Sequence, residues 1–121
     1  MIIKNFFNSL RYAARGLQYV FKHEQNFRLQ VLASCFVIGG MALFPLNNRE
    51  IILLIILITM VLTMEILNTA FERFADLLKP RLHEYVSVIK DIMAAAVFLT
   101  SLAASIIGAI IFIPHFLNWF K

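Results

Sequence analysis

The chain has 121 residues, 61% of them hydrophobic and only 15% charged, with a mean hydropathy of +0.82. Soluble domains are roughly half apolar, so this composition reads as one integral membrane domain, all α-helical. The net charge of +4 does not mark a nucleic-acid binder. Nine of the eleven Lys and Arg fall in two blocks flanking apolar spans, Lys4 to Arg28 and Arg73 to Lys90, which is the signature of topology. A single cysteine, Cys35, excludes a disulfide framework or a CxxC metal site.

Residues 1–26 alternate apolar and basic side chains. Phe6, Leu10, Leu17 and Phe21 share one helical stripe, and Lys4, Arg11, Arg15 and Lys22 punctuate it. A basic amphipathic helix with aromatic residues is expected to lie in a membrane interface. Its first apolar run is too short and too interrupted by charge for a cleavable leader.

Residues 29–46 form the first expected membrane helix, with Gly39-Gly40 as a close-packing point and Pro45 at the exit. The second is expected over 50–78. Its uncharged part, Ile51 to Met64, covers only about 21 Å, so the helix must carry Glu65 and Asn68 to the inner edge of the bilayer. Pro80 breaks it. The third is expected over 86–113, rich in small residues and closed by Pro114.

Positive residues mark the cytoplasmic side. The N-terminus and the 73–90 connection of this multi-pass protein are therefore expected to face the cytoplasm. Glu24, Glu65, Asn68, Glu72, Asp76, Lys90 and Asp91 all gather on that side. Glu65, Asn68, Glu72 and Asp76 also fall within an arc of about 80° on one helix face. Ionisable groups at this depth point to function. Carboxylates and an amide are hard oxygen ligands suited to Mg²⁺, and a nearby lysine can neutralise phosphate. Metal, cation and a carboxylate base are the parts of phosphoryl transfer, although no Walker A loop is present. From these residues alone, a lipid-modifying enzyme and a small transporter or membrane-assembly subunit carry comparable weight.

The run Glu65-Ile66-Leu67-Asn68-Thr69-Ala70-Phe71-Glu72, then Asp76, then Lys90-Asp91-Ile92-Met93-Ala94-Ala95-Ala96-Val97, resembles the prokaryotic-type diacylglycerol kinase family, which includes the undecaprenol kinases. Arg15-Gly16-Leu17 and Glu24-Gln25-Asn26-Phe27-Arg28 extend the resemblance over nearly the whole chain. It implies a three-span homotrimer with active sites shared between subunits. That assembly would use ATP and Mg²⁺ to phosphorylate a lipid alcohol, diacylglycerol or undecaprenol. Under it, Glu65 is the base, Glu24 and Glu72 hold the metal, and Tyr12, Asn68, Asp76, Lys90 and Asp91 serve the nucleotide and its polar network. Phe71, Ala75, Ile89 and Gln30 depart from the pattern, Gln30 standing where undecaprenol kinases often carry His.

Overall fold

The computed structural model describes residues 1–121 as four helices and no strand: α1 (Ile2–His23), α2 (Gln25–Leu43), α3 (Asn48–Leu78) and α4 (His83–Trp119). The last three are long and apolar enough to cross a membrane. α3 packs chiefly on α4 and also on α2, while α1 lies against the start of α2 and the last turns of α3.

The boundaries differ from those expected of the sequence, each for a local reason. α1 stops at His23, and Glu24 takes extended backbone (φ −118°, ψ 110°) before α2 begins at once at Gln25. Arg28, one turn into α2, donates through Nη1 to the carbonyls of Phe21 and Lys22 at 2.7 and 2.9 Å. The last carbonyls of a helix lack intrahelical partners, and a cation there also meets the negative end of the helix dipole. Arg28 thus satisfies the end of one helix from within the next. The helix is therefore Gln25–Leu43, where the sequence predicts a membrane helix over 29–46, and its 19 residues reach about 28 Å, close to the thickness of a bilayer core. It ends at Leu43 because Phe44, next to Pro45, is held extended.

α3 opens with a capping box. Asn47 accepts from the Glu50 amide at 2.9 Å, and Glu50 accepts from the Asn47 amide at 3.1 Å. Glu50 also meets Nε2 of His115 at 3.2 Å, joining the start of α3 to the last turns of α4. With 31 residues α3 is about 46 Å long, well beyond the hydrocarbon core.

α4 begins at His83, not 86, and does not close at Pro114: it continues to Trp119. Proline removes one backbone donor, a loss that neighbouring contacts can absorb in apolar helices. Those contacts are the Glu50–His115 pair and the edge-on ring of Trp119 against Phe44, 5.5 Å between centroids.

Only ten of the 121 residues are buried. The core proper is Leu54, Leu57 and Ile111, with Val37, Met41, Leu46, Ala104, Ile107 and Phe112 packed on it. The accessible surface is 9269 Å², against ~6700 Å² for a compact soluble protein of this mass. The excess is largely apolar helix surface, with side chains such as Phe36, Phe98 and Ile110 exposed. Such a surface requires lipid or further protein against it. The paired glycines separate in role. A Cβ on Gly40 would stand 2.9 Å from the Phe112 ring, while one on Gly39 meets nothing within 4 Å.

Candidate active site

The buried face of α3 is one continuous stripe of Leu54, Leu57, Val61, Glu65 and Thr69. It is apolar for its first half and changes character at Glu65. At 1.5 Å per residue, Glu65 lies about 26 Å from the start of α3, near the far edge of a 30 Å hydrocarbon layer. The chain therefore buries a carboxylate, 4% exposed, where apolar packing gives way to polar surroundings. Thr69, 3% exposed, follows one turn later and donates its hydroxyl to the Glu65 carbonyl at 3.0 Å.

Glu24 and Glu72 both lie within electrostatic reach of Glu65. Glu72 comes from the next two turns of α3, and its Oε1 accepts from Asn68 Nδ2 at 3.4 Å. Glu24 comes from the break between α1 and α2, whose extended backbone turns it toward α3. Three carboxylates from two places in the sequence thus converge. Like charges in a partly buried setting repel, and a cation relieves that repulsion. No three acidic or metal-binding side chains of one chain stand close enough to enclose a metal ion. Mg²⁺ asks for less, since it takes one or two carboxylates and keeps waters and phosphate oxygens for the rest of its shell. The donor set around Glu65 fits that requirement.

Two basic side chains border the cluster. Arg73 Nη2 stands 3.4 Å from Glu24 Oε1, and its guanidinium lies 5.7 Å from the centroid of the Tyr19 ring, which stacks on His23. Lys90 Nζ donates to Asp76 Oδ1 at 2.7 Å, joining the end of α3 to the first turns of α4. Neither acid is bonded to the basic residue that follows it most closely in the chain, Arg73 for Glu72 and Lys79 for Asp76. Adjacent residues on a helix face about 100° apart, so Arg73 points away from Glu72 and toward α1. Asp76 takes Lys90 in place of Lys79 because the turn at 79–82 folds α4 back alongside it.

Of the candidate residues, the chain brings together Glu24, Glu65, Asn68 and Glu72, with Asp76 one turn further along α3 and Lys90 reaching it from α4. Asp91 is exposed beside Lys90. Tyr12 is exposed on α1, about 18 Å along the helix from Glu24, and no hydrogen bond joins it to the others. Arg28 and Thr69 stand in the motif runs without a role assigned to them, and Arg73 and Tyr19 lie outside those runs. Arg73 did leave a signal: a basic residue on a different face from the acid beside it needs another partner.

Residues 11–112 match the family of prokaryotic diacylglycerol kinases. The chain is 33% identical over 118 residues to a diacylglycerol kinase of Synechocystis, covering 97% of this chain and 67% of that protein. It is 33% identical over 112 residues to an undecaprenol kinase of Bacillus subtilis, covering 93% and 91%. A diacylglycerol kinase of Haemophilus influenzae is 32% identical over 111 residues, covering 91% and 94%.

Proposed function

The chain belongs to the prokaryotic diacylglycerol kinase family, and on that premise we propose that it transfers the γ-phosphoryl group of ATP to the hydroxyl of a membrane lipid, diacylglycerol or undecaprenol. The observation that carries this reading is Glu65, a buried carboxylate at the point where the apolar face of α3 ends, with Glu24 and Glu72 beside it. A hydroxyl arriving from the bilayer meets Glu65 first, and a nucleotide arriving from water meets Glu72, Asp76 and Lys90.

Glu65 accepts the hydroxyl proton as the lipid oxygen bonds to the γ-phosphorus and the bridging bond to ADP breaks. Thr69 and the packing of α3 hold the helix turn that aims this carboxylate. Glu24 and Glu72 would hold Mg²⁺, with Asn68 orienting Glu72. Bound there, Mg²⁺ would neutralise charge on the phosphates. Lys90 leaves Asp76 to meet phosphate oxygens, and Asp91 and Tyr12 serve the nucleotide from the rim. The site lies on the cytoplasmic face of a bacterial inner membrane, with the N-terminus on the same side. Two basic blocks flank that face, against Arg49 and Lys121 elsewhere.

The protein works as a homotrimer with shared sites. A chain with ten buried residues cannot enclose a polar centre alone, and closed symmetry lets a neighbour's helices supply the walls. The test is transfer of labelled phosphate from ATP to dioleoylglycerol or undecaprenol in detergent micelles. Mg²⁺-dependent label in the lipid is expected. Absence of transfer to any lipid alcohol would leave the non-enzymatic reading, a transporter or assembly subunit.

A further inference from the structure

Glu24, Glu65 and Glu72 converge, and a single cation is bonded to any of them. That cation is Arg73, whose Nη2 lies 3.4 Å from Glu24 Oε1. Lys90 is taken by Asp76, and the Glu50–His115 pair stands at the other end of α3. Arg73 also lies within electrostatic reach of Asp76, one turn further along the same helix. It therefore sits between the carboxylates proposed for the metal and the residues proposed to meet the nucleotide.

The guanidinium is held loosely by Glu24 and firmly from behind. A distance of 3.4 Å is long for a charge-assisted hydrogen bond, and the contact is single where arginine can make two. One N–H donor of the fork is spent on Glu24 and the rest are free for other acceptors. On its other side the guanidinium lies 5.7 Å from the centroid of the Tyr19 ring. Tyr19 is braced in turn. It stacks on His23 with centroids 4.2 Å apart, and His23 Nδ1 donates to the Tyr19 carbonyl at 2.8 Å. A guanidinium on such a platform keeps its place while its hydrogen bonds change. A phosphate, with bidentate geometry and more charge, suits the fork better than one oxygen of a partly exposed carboxylate.

We infer that Arg73 is the counter-ion of Glu24 only while the site is empty, and that it passes to a nucleotide phosphate when Mg·ATP enters. The inference rests on the reading that the chain is an ATP-dependent kinase with Glu24 as a metal ligand. With Arg73 in place, a divalent ion arriving alone meets a carboxylate already paired and a like charge beside it. An ion arriving with a nucleotide brings the phosphates that draw the guanidinium away. Arg73 thus couples the two affinities: it opposes the metal alone and favours metal and nucleotide together.

The experiment uses the full chain in detergent micelles, with Arg73→Gln, Arg73→Lys, Arg81→Gln and the double variant Glu24→Gln/Arg73→Gln. Binding of Mn²⁺ alone, a probe with the same preference for oxygen ligands, is followed by electron paramagnetic resonance. KM for Mg·ATP is measured separately with dioleoylglycerol or undecaprenol as acceptor. Arg73→Gln is expected to bind Mn²⁺ about threefold to tenfold more tightly while raising KM for Mg·ATP about tenfold. Shifts of opposite sign do not arise from damage to the fold. Arg73→Lys, which keeps the charge without the fork, should bind Mn²⁺ as the parent does and show an intermediate KM. Arg81→Gln removes the same charge from the turn at 79–82 and should change both quantities by less than about twofold. Glu24→Gln should cancel the gain in Mn²⁺ affinity made by Arg73→Gln. The inference is overturned by Arg73→Gln weakening both interactions or leaving either unchanged. It is also overturned by an equal gain in Arg81→Gln, or by a gain that persists without the Glu24 carboxylate. A parent chain that transfers phosphate to neither lipid would instead overturn the kinase reading, while the Mn²⁺ comparison still reports on the pair.

Discussion

The guanidinium of Arg73, on α3, lies 3.4 Å from the Glu24 carboxylate, 49 residues earlier at the joint between α1 and α2. Arg73 also covers the Tyr19 ring, so one side chain ties both sides of that joint to α3. Both charges are partly exposed, and such pairs contribute about 0–1 kcal/mol. The cation–π contact adds about as much again. Arg73→Ala should therefore lower global stability by no more than about 2 kcal/mol. Its larger effect should be local. Tryptic cleavage at Lys22 and Arg28 is expected to accelerate, read by mass spectrometry of timed digests. An unchanged cleavage rate would show that α1 is held by other contacts.

Glu65→Gln separates chemistry from folding. The variant should lose about 10²–10⁴-fold in kcat, the usual effect of removing a general base. It should not lose stability. The wild-type carboxylate is buried beside Glu24 and Glu72, and a neutral amide of the same shape removes both the desolvation cost and the repulsion. Thermal unfolding in detergent should move to the same or a higher temperature. A lower unfolding temperature together with the activity loss would point to a structural role.

Lys90 and Asp76 form a close pair, 2.7 Å apart, with both side chains more than a third exposed. Solvent screening limits its contribution to about 1 kcal/mol of stability. If Lys90 meets phosphate during turnover, Lys90→Met should lower kcat/KM for ATP by about 10–100-fold, the scale of one hydrogen bond to a charged group. Unfolding should change little. Parallel losses of activity and stability would instead assign Lys90 to the α3–α4 joint.

The paired glycines of α2 should respond in opposite ways. Gly39 has open space beyond its Cα, so Gly39→Ala gains helix propensity and is neutral or stabilising by up to about 1 kcal/mol. Gly40→Ala places a methyl group 2.9 Å from the Phe112 ring, which itself packs edge-on to Phe44. Overpacking of this kind costs about 1–3 kcal/mol. Unfolding of the two variants under identical detergent conditions gives the comparison. Equal behaviour would mean that α2 and α4 are not in contact there.

The sequence by itself determined the number of helices, their apolar character and the stripe of polar groups on α3. Periodicity and length act along the chain, and an uncharged run of 14 residues that is too short to cross a membrane forces Glu65 to its edge. It also determined the motif from Glu65 to Asp91, because those residues are local to two helices. Helix ends were less legible. Pro114 reads as a stop until Glu50 and Trp119 hold the turn beyond it, and the start of α2 reads as Leu29 until Arg28 is seen to cap α1.

What only the tertiary structure decided was pairing. Along the chain Arg73 adjoins Glu72 and Lys79 lies three residues from Asp76; folding gave Arg73 to Glu24 and Lys90 to Asp76. It also brought Gln30 to Ser101 across 71 residues. The physical reason is the same in each case. Helix period fixes the direction in which a side chain leaves its own axis, but the partner it meets depends on which other helix is packed there.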